Sequence, residues 1–360
     1  MPVVSVLQQD PDIVHATCVT GQHRQMLDSV LELFGHAPEF DLNIMKAGQD
    51  LAYVTTAVID GLTRIIEIFK PDWVIVQGDT TTAMSGALAA FYKHVRVAHV
   101  EAGLRTGNLQ SPWPEEMNRR VITTLAAVHF PPTEVAADNL RKENVPERDI
   151  LVTGNTVIDA LHEIASRLDH DKVLHDCVAG HFQFLDPARR MILVTGHRRE
   201  NFTGGLEQVC HALVTIARRD DIEIVYPVHL NPNVQATAQS ILANSRNVHL
   251  IAPQDYLPFI FLMRRAYAIV TDSGGIQEEA PGLGKPVLVT RDTTERPEAV
   301  DAGTARLIGT SSEDLVTALN ELLDDPVAYG SMAQARNPFG DGRAAGRILR
   351  WFKEQSMRGE

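Results

Sequence analysis

Short apolar runs alternate with runs of helical period along the whole chain, and that alternation restricts the fold to a parallel sheet with helices on both faces. The strand-like runs are 13–19, 73–77, 95–100, 150–153, 191–195, 222–226, 248–251, 268–270 and 286–290. Helical periodicity fills 23–34, 51–69, 80–92, 115–127, 206–217 and 315–323, with the end of an amphipathic helix at 2–9 and a last helix at 341–352. The 360 residues exceed one ordinary core, so two domains are expected. A polar, irregular stretch at 167–190 sets the junction near or just before it. The expected division is 1–154 with the terminal segment 341–360 packed back on it, and 155–340 as the second domain.

A net charge of -13 argues against a nucleic-acid or anionic-membrane surface, so cations that meet phosphate must be gathered locally. Cys18, Cys177 and Cys210 have neither metal-ligand spacing nor a disulfide framework, which predicts a cytoplasmic protein without structural metal. No apolar run reaches the length of a membrane span.

Chemistry is concentrated where strands end, because parallel strands share one carboxyl edge at which ligands sit. Asp79 follows WVIVQG and Glu101 follows RVAHV, so both acids are expected at one crevice. Glu115, in the first turn of a helix after Pro114, shares a face with Arg119 and is a third candidate. Their plain alternatives are a helix cap, a loop hydrogen bond and a favourable first-turn charge. In the second domain the strand 191–195 ends in Gly196-His197-Arg198-Arg199-Glu200, and guanidinium forks match diphosphate oxygens. The strand 268–270 breaks at Thr271-Asp272-Ser273-Gly274-Gly275 into a helix start, a suitable seat for a phosphate, although Ser273 could instead merely cap that helix.

Six stretches taken together resemble one family. They are Gln77-Gly78-Asp79-Thr80-Thr81-Thr82, His99-Val100-Glu101-Ala102-Gly103-Leu104-Arg105, Pro114-Glu115-Glu116-Met117-Asn118-Arg119, Gly196-His197-Arg198-Arg199-Glu200, Asp272-Ser273-Gly274-Gly275-Ile276-Gln277-Glu278-Glu279 and Thr294-Glu295-Arg296-Pro297-Glu298. The family is that of the non-hydrolysing bacterial UDP-N-acetylglucosamine 2-epimerases, and the resemblance runs in order over almost the whole chain. It implies an α/β, GT-B-like fold: two Rossmann-like doubly wound domains facing across a cleft. It implies Asp79, Glu101, Glu115 and His197 as catalytic residues supported by Arg119, and Gln254, Phe259, Ser273, Gly274, Gly275, Glu279 and Arg296 as the residues that hold UDP. Gln22, His23, Gln25, Arg198 and His229 resemble the family's second, regulatory UDP-N-acetylglucosamine (UDP-GlcNAc) site.

The implied reaction interconverts UDP-GlcNAc and UDP-N-acetylmannosamine (UDP-ManNAc), a precursor of bacterial surface polysaccharide, in a homodimer with no cofactor, no metal, no nucleic acid and no membrane partner. No G-x-G-x-x-G follows a strand, in keeping with a route free of nicotinamide. Because fold alone does not choose a reaction, a glycosyltransferase and a non-catalytic UDP-sugar-binding protein are the alternatives. Family members open with a strand and a Gly-Thr-Arg-Pro-Glu turn, which have no counterpart here; Pro2-Val3-Val4 resembles the later part of the helix that follows them. The expectation is that the natural gene encodes roughly two dozen residues more, about one strand, one turn and most of a helix.

Overall fold

A computed structural model describes residues 1–22, 24–196 and 204–358, which divide into two compact units, Met1–Ala160 with Gly340–Glu360, and Leu161–Phe339. In the first unit the strands are β1 (Cys18–Val19), β2 (Phe40–Asp41), β3 (Trp73–Gln77), β4 (Arg96–Val100) and β5 (Val128–Phe130). They pair in parallel as β1-β2 and as β3-β4-β5.

Side chains of a strand point alternately to its two faces, and β4 is buried on both. Val97 joins Val76, Ala83, Ala87, Ala90 and Ile122 under the helices Thr81–Tyr92 and Glu115–Leu125. Ala98 and Val100 join Val128 and Phe130 against Ile348 and Phe352 of the helix Ala344–Arg358 and Val3 and Leu7 of the helix Pro2–Gln9. Thr80 caps its helix by accepting from Ala83 N–H, and Thr133 caps Glu134–Lys142 in the same way through Ala136 N–H.

In the second unit the strands are β6 (Arg190–Thr195), β7 (Ile222–Pro227), β8 (Val248–Ile251), β9 (Ala266–Thr271), β10 (Val287–Val289) and β11 (Ala305–Leu307). All pairs are parallel, in the order β11-β10-β9-β6-β7-β8. The chain winds outward from β6 through β8, returns to β9 and winds outward the other way. That is Rossmann-like topology, with its switch point between the ends of β6 and β9.

Two expected strands shrink. Of 13–19 only Cys18 and Val19 pair with a neighbour. The run 150–153 lies beside β5 with one bridge, His129 to Ile150, and two backbone bonds, Leu151 N–H to His129 O and Thr153 N–H to Pro131 O. Pro131 has no N–H with which to extend a ladder. Strands β2, β5 and β11 were not expected; each is two or three residues long, too short for an alternation to register. No helix among the described residues is long and apolar enough to cross a membrane.

Candidate active site

At the carboxyl edge of β3 and β4, Asp79 and Glu101 are brought together. Gly78 bonds through its N–H to Val100 O at 3.0 Å, and a Cβ added at Gly78 would stand 3.7 Å from Glu101 Oε2. Glu101 is not glycine, yet it holds φ at +61°, in the left-handed region. Such a conformation costs on the order of 1 kcal/mol and accumulates at functional sites. Asp79 does not cap the next helix, because Thr80 does. Its carboxylate instead accepts from Arg119 Nε at 2.9 Å and Nη2 at 2.7 Å, a two-pronged contact that fixes its orientation.

The sequence places Arg119 on one helical face with Glu115, but Arg119 pairs with Asp79 and Glu116. Arg119 Nη1 lies 3.2 Å from Glu116 Oε2. Glu116, fully buried, also accepts from Thr106 N–H at 3.0 Å and Gly107 N–H at 3.2 Å, and from Arg120. Burial alone would raise its pKa, and the backbone donors and Arg119 outweigh that and lower it. Glu115 opens its helix as a half-buried first-turn acid, with Pro114 as the N-cap and not the first helical residue. Asn118, 1% exposed, donates from Nδ2 to Asp79 O at 2.8 Å. Sequence spacing does not single out Glu116 or Asn118, since the contact to Asp79 spans about 40 residues and only the fold closes it.

At the switch point of the second unit, Thr195 and Thr271 hydroxyls meet at 2.6 Å. Ser273 N–H donates to Thr271 Oγ1 at 2.9 Å, and the Ser273 side chain makes no capping bond to the helix Gly274–Gly282. The plain reading of Ser273 as a cap is therefore not realised. A Cβ at Gly274 or Gly275 would meet nothing closer than 3.9 Å, and Gly275 is exposed, so a ligand has room to approach this helix start. Glu279, on the same helix, is 7% exposed and accepts from Tyr256 Oη at 2.8 Å. Burial raises its pKa from 4.5 to about 7, against the lowering effect of Tyr256. Tyr256 lies in the stretch 254–259 that could read a base, but its pairing with Glu279 is found only in the fold. Arg296 pairs with Glu278, and Thr294 Oγ1 donates to Gln277 at 2.6 Å. Phe259 lies half-buried on the helix Tyr256–Arg265, and Gln254 Nε2 donates to Ala252 O at 2.7 Å.

His23, His197 and Arg198 lie outside the described residues. Of the other residues matched to a regulatory site, Gln22 accepts from Thr82 Oγ1 at 2.8 Å, three residues beyond Asp79. Gln25 is exposed on the helix Arg24–Leu33. His229, exposed in the second unit, accepts through Nδ1 from Asn231 N–H at 3.1 Å.

A family model described as UDP-N-acetylglucosamine 2-epimerase matches residues 5–353. The UDP-N-acetylglucosamine 2-epimerase of Escherichia coli O157:H7 is 55% identical over 357 residues, 99% of this chain and 95% of that protein. Among solved structures, UDP-GlcNAc 2-epimerase from Neisseria meningitidis bound to UDP-GlcNAc is 47% identical, with a TM-score of 0.87 over 98% of this chain and 95% of that one. The Methanocaldococcus jannaschii UDP-GlcNAc 2-epimerase in complex with UDP-GlcNAc and UDP is 30% identical, with a TM-score of 0.76 over 98% of this chain and 95% of that one.

Proposed function

The chain belongs to the UDP-N-acetylglucosamine 2-epimerase family, and on that premise we propose that it interconverts UDP-GlcNAc and UDP-ManNAc without net hydrolysis. The C2 proton of the sugar is not acidic while C1 is an acetal. The C1–O bond therefore breaks first, UDP leaves with the electron pair, and the oxocarbenium character at C1 acidifies C2. A carboxylate then takes the C2 proton, leaving 2-acetamidoglucal and UDP. UDP adds back to C1 as a proton returns to the opposite face of C2. The observation that carries this reading is the pair Asp79 and Glu101 at one strand edge, the first gripped by Arg119 and the second held at positive φ. Asp79, Glu101 and Glu115 serve as acid and base, and His197 stabilises charge on the departing diphosphate. Ser273, Gly274, Gly275, Glu279, Arg296, Gln254 and Phe259 hold UDP. Gln22, His23, Gln25, Arg198 and His229 form a regulatory UDP-GlcNAc site. The resemblance also carries a cytoplasmic homodimer, to be read from the mass of the chain in solution.

In deuterium oxide the enzyme is expected to place deuterium at C2 of both product and recovered substrate, read by mass spectrometry. Epimer without label rules out the elimination, and free N-acetylmannosamine as the main product rules out the non-hydrolysing outcome.

Glu279 supplies a second test. Its folded pKa of about 7 lies above the ordinary 4.5, so the stability it contributes is complete below about 4.5 and is lost as pH rises through about 7. A ribose diol that donates to this carboxylate favours its ionised form, so UDP affinity falls as pH drops below about 7. The diphosphate titrates in the same range, and that contribution cancels when wild type is compared with Glu279→Gln. Between pH 8 and 6 calorimetry should show wild-type affinity falling about tenfold more than that of the variant. Parallel profiles would remove Glu279 from the nucleotide site.

A further inference from the structure

His99 is fully buried in the middle of the site's framework, yet the proposed chemistry gives it no task. It stands on β4 on the Val97 side of the sheet, and its Nε2 donates to Gly78 O at 2.8 Å. The carbonyl is an acceptor, which fixes the neutral ring as the Nε2–H tautomer. Nδ1 has no hydrogen-bond partner among the described residues, and the ring of His129 stands edge-on at 6.4 Å. A buried polar atom left without a partner is costly, so apolar packing alone does not account for a histidine at this position. What the ring provides is one donor at one place.

That place has a geometric consequence. Gly78 C=O, Asp79 N and Asp79 Cα lie in a single planar peptide unit. A bond that pins Gly78 O therefore pins the plane on the amino side of Asp79. Asp79 O belongs to the next plane, and Asn118 Nδ2 holds it at 2.8 Å. Rotation about φ and ψ of Asp79 is the relative rotation of these two planes, and each plane is held by a buried side chain, His99 at 0% and Asn118 at 1% exposure. Arg119 grips only the carboxylate at the far end.

We propose that His99 is a positioning residue for the epimerase reaction, acting with Asn118 as a two-sided clamp on the backbone of Asp79. The proposal rests on the reading of Asp79 as an acid–base group. Proton transfer at carbon tolerates little misplacement, and a shift of roughly 1 Å in a reacting group costs about a hundredfold in rate. A carboxylate on a strand-end turn needs its backbone fixed as well as its tip, because the Arg119 contact alone leaves the turn free to rock about it.

The test compares His99→Leu with His99→Gln, whose amide nitrogen reaches about as far as Nε2 and restores the donor. In His99→Leu, kcat should fall between about thirtyfold and a hundredfold with KM within about threefold, and UDP binding by calorimetry should be unchanged. His99→Gln should recover kcat to within about fivefold of wild type. Wild-type kcat in His99→Leu, or equal impairment in the two variants, overturns the clamp. If His99→Leu fails to fold, the comparison runs between His99→Gln and His99→Asn, whose amide is too short to reach Gly78 O, and equal kcat in those two overturns it. Amide exchange at Gly78, whose N–H bonds Val100 O, is a readout independent of the reaction. It should speed up at least about tenfold in the variant without the donor and stay near wild type in His99→Gln, and unchanged exchange in the former also counts against the clamp. Absence of C2 labelling by the wild type overturns the epimerase reading, whereas labelling by His99→Leu at the wild-type rate overturns only the clamp.

Discussion

Replacing Gly103 by alanine is expected to destabilise the first unit by roughly 3–5 kcal/mol, summing left-handed backbone strain and overpacking. Gly103 follows Glu101 by two residues and crosses the helix Glu134–Lys142 at close range. A Cβ there would lie 2.2 Å from Ala136 O, 2.9 Å from Ala136 C and 3.0 Å from Leu140 Cγ. Two of these atoms are backbone and cannot swing away as a side chain does. At φ +88° the residue is also in a conformation that L side chains resist. The loop cannot simply lift, because Gly103 O accepts from Asn139 Nδ2 at 3.0 Å and the adjoining Ala102 is fully buried. Gly107 is the control: its φ is +76°, but a Cβ there meets nothing within 4 Å, so Gly107→Ala should carry only the strain, about 1 kcal/mol. Urea unfolding of both variants at equal slope measures the difference. If Gly103→Ala unfolds no earlier than Gly107→Ala, the close approach of loop and helix is wrong. Relief of the clash would move Glu101, so a surviving Gly103→Ala protein should also be slow.

The same loop shows what the sequence makes legible. The strand-end acids Asp79 and Glu101 are readable because parallel strands share an edge, and the shared edge brings them together whatever the side chains do. The brace around them is not readable. Arg119 to Asp79, Asn118 to Asp79 and His99 to Gly78 span 40, 39 and 21 residues, and helical spacing proposes only partners three or four positions away. That is why spacing pairs Arg119 with Glu115 while the fold pairs it with Asp79 and Glu116. His99 did leave a trace, since a histidine as the fourth of the five residues Arg96–Val100 is a polar residue in a strand buried on both faces. In the second unit the turn Asp272-Ser273-Gly274-Gly275 is legible, because a strand, small residues and a helix start are local features. Tyr256 against Glu279 is not, because that contact joins two helices.

Substituting Asp79 by asparagine should lower kcat by about 10²–10⁴, the usual worth of a positioned acid or base, while UDP affinity stays within about twofold. The exchange is nearly isosteric, and the surroundings are arranged so that little else changes. His99 and Asn118 bond to the carbonyls of Gly78 and Asp79, which the substitution leaves in place. Arg119 loses the carboxylate that now accepts both Nε and Nη2, but Glu116 still holds its Nη1. An asparagine can offer one oxygen to that fork and must turn an NH2 toward it or away from it, so a modest rearrangement of the tip is the only structural cost. The residues proposed to hold UDP all lie in the second unit, separate from the compact unit that carries Asp79. A loss confined to kcat, with calorimetric UDP binding retained, therefore reports chemistry at C2. The label experiment sharpens it: starting from the epimer whose C2 proton Asp79 takes, the variant should exchange that proton into deuterium oxide as slowly as it epimerises, because one proton transfer limits both. A variant that keeps more than about a tenth of the wild-type kcat would leave Asp79 as a partner for Arg119 and nothing more.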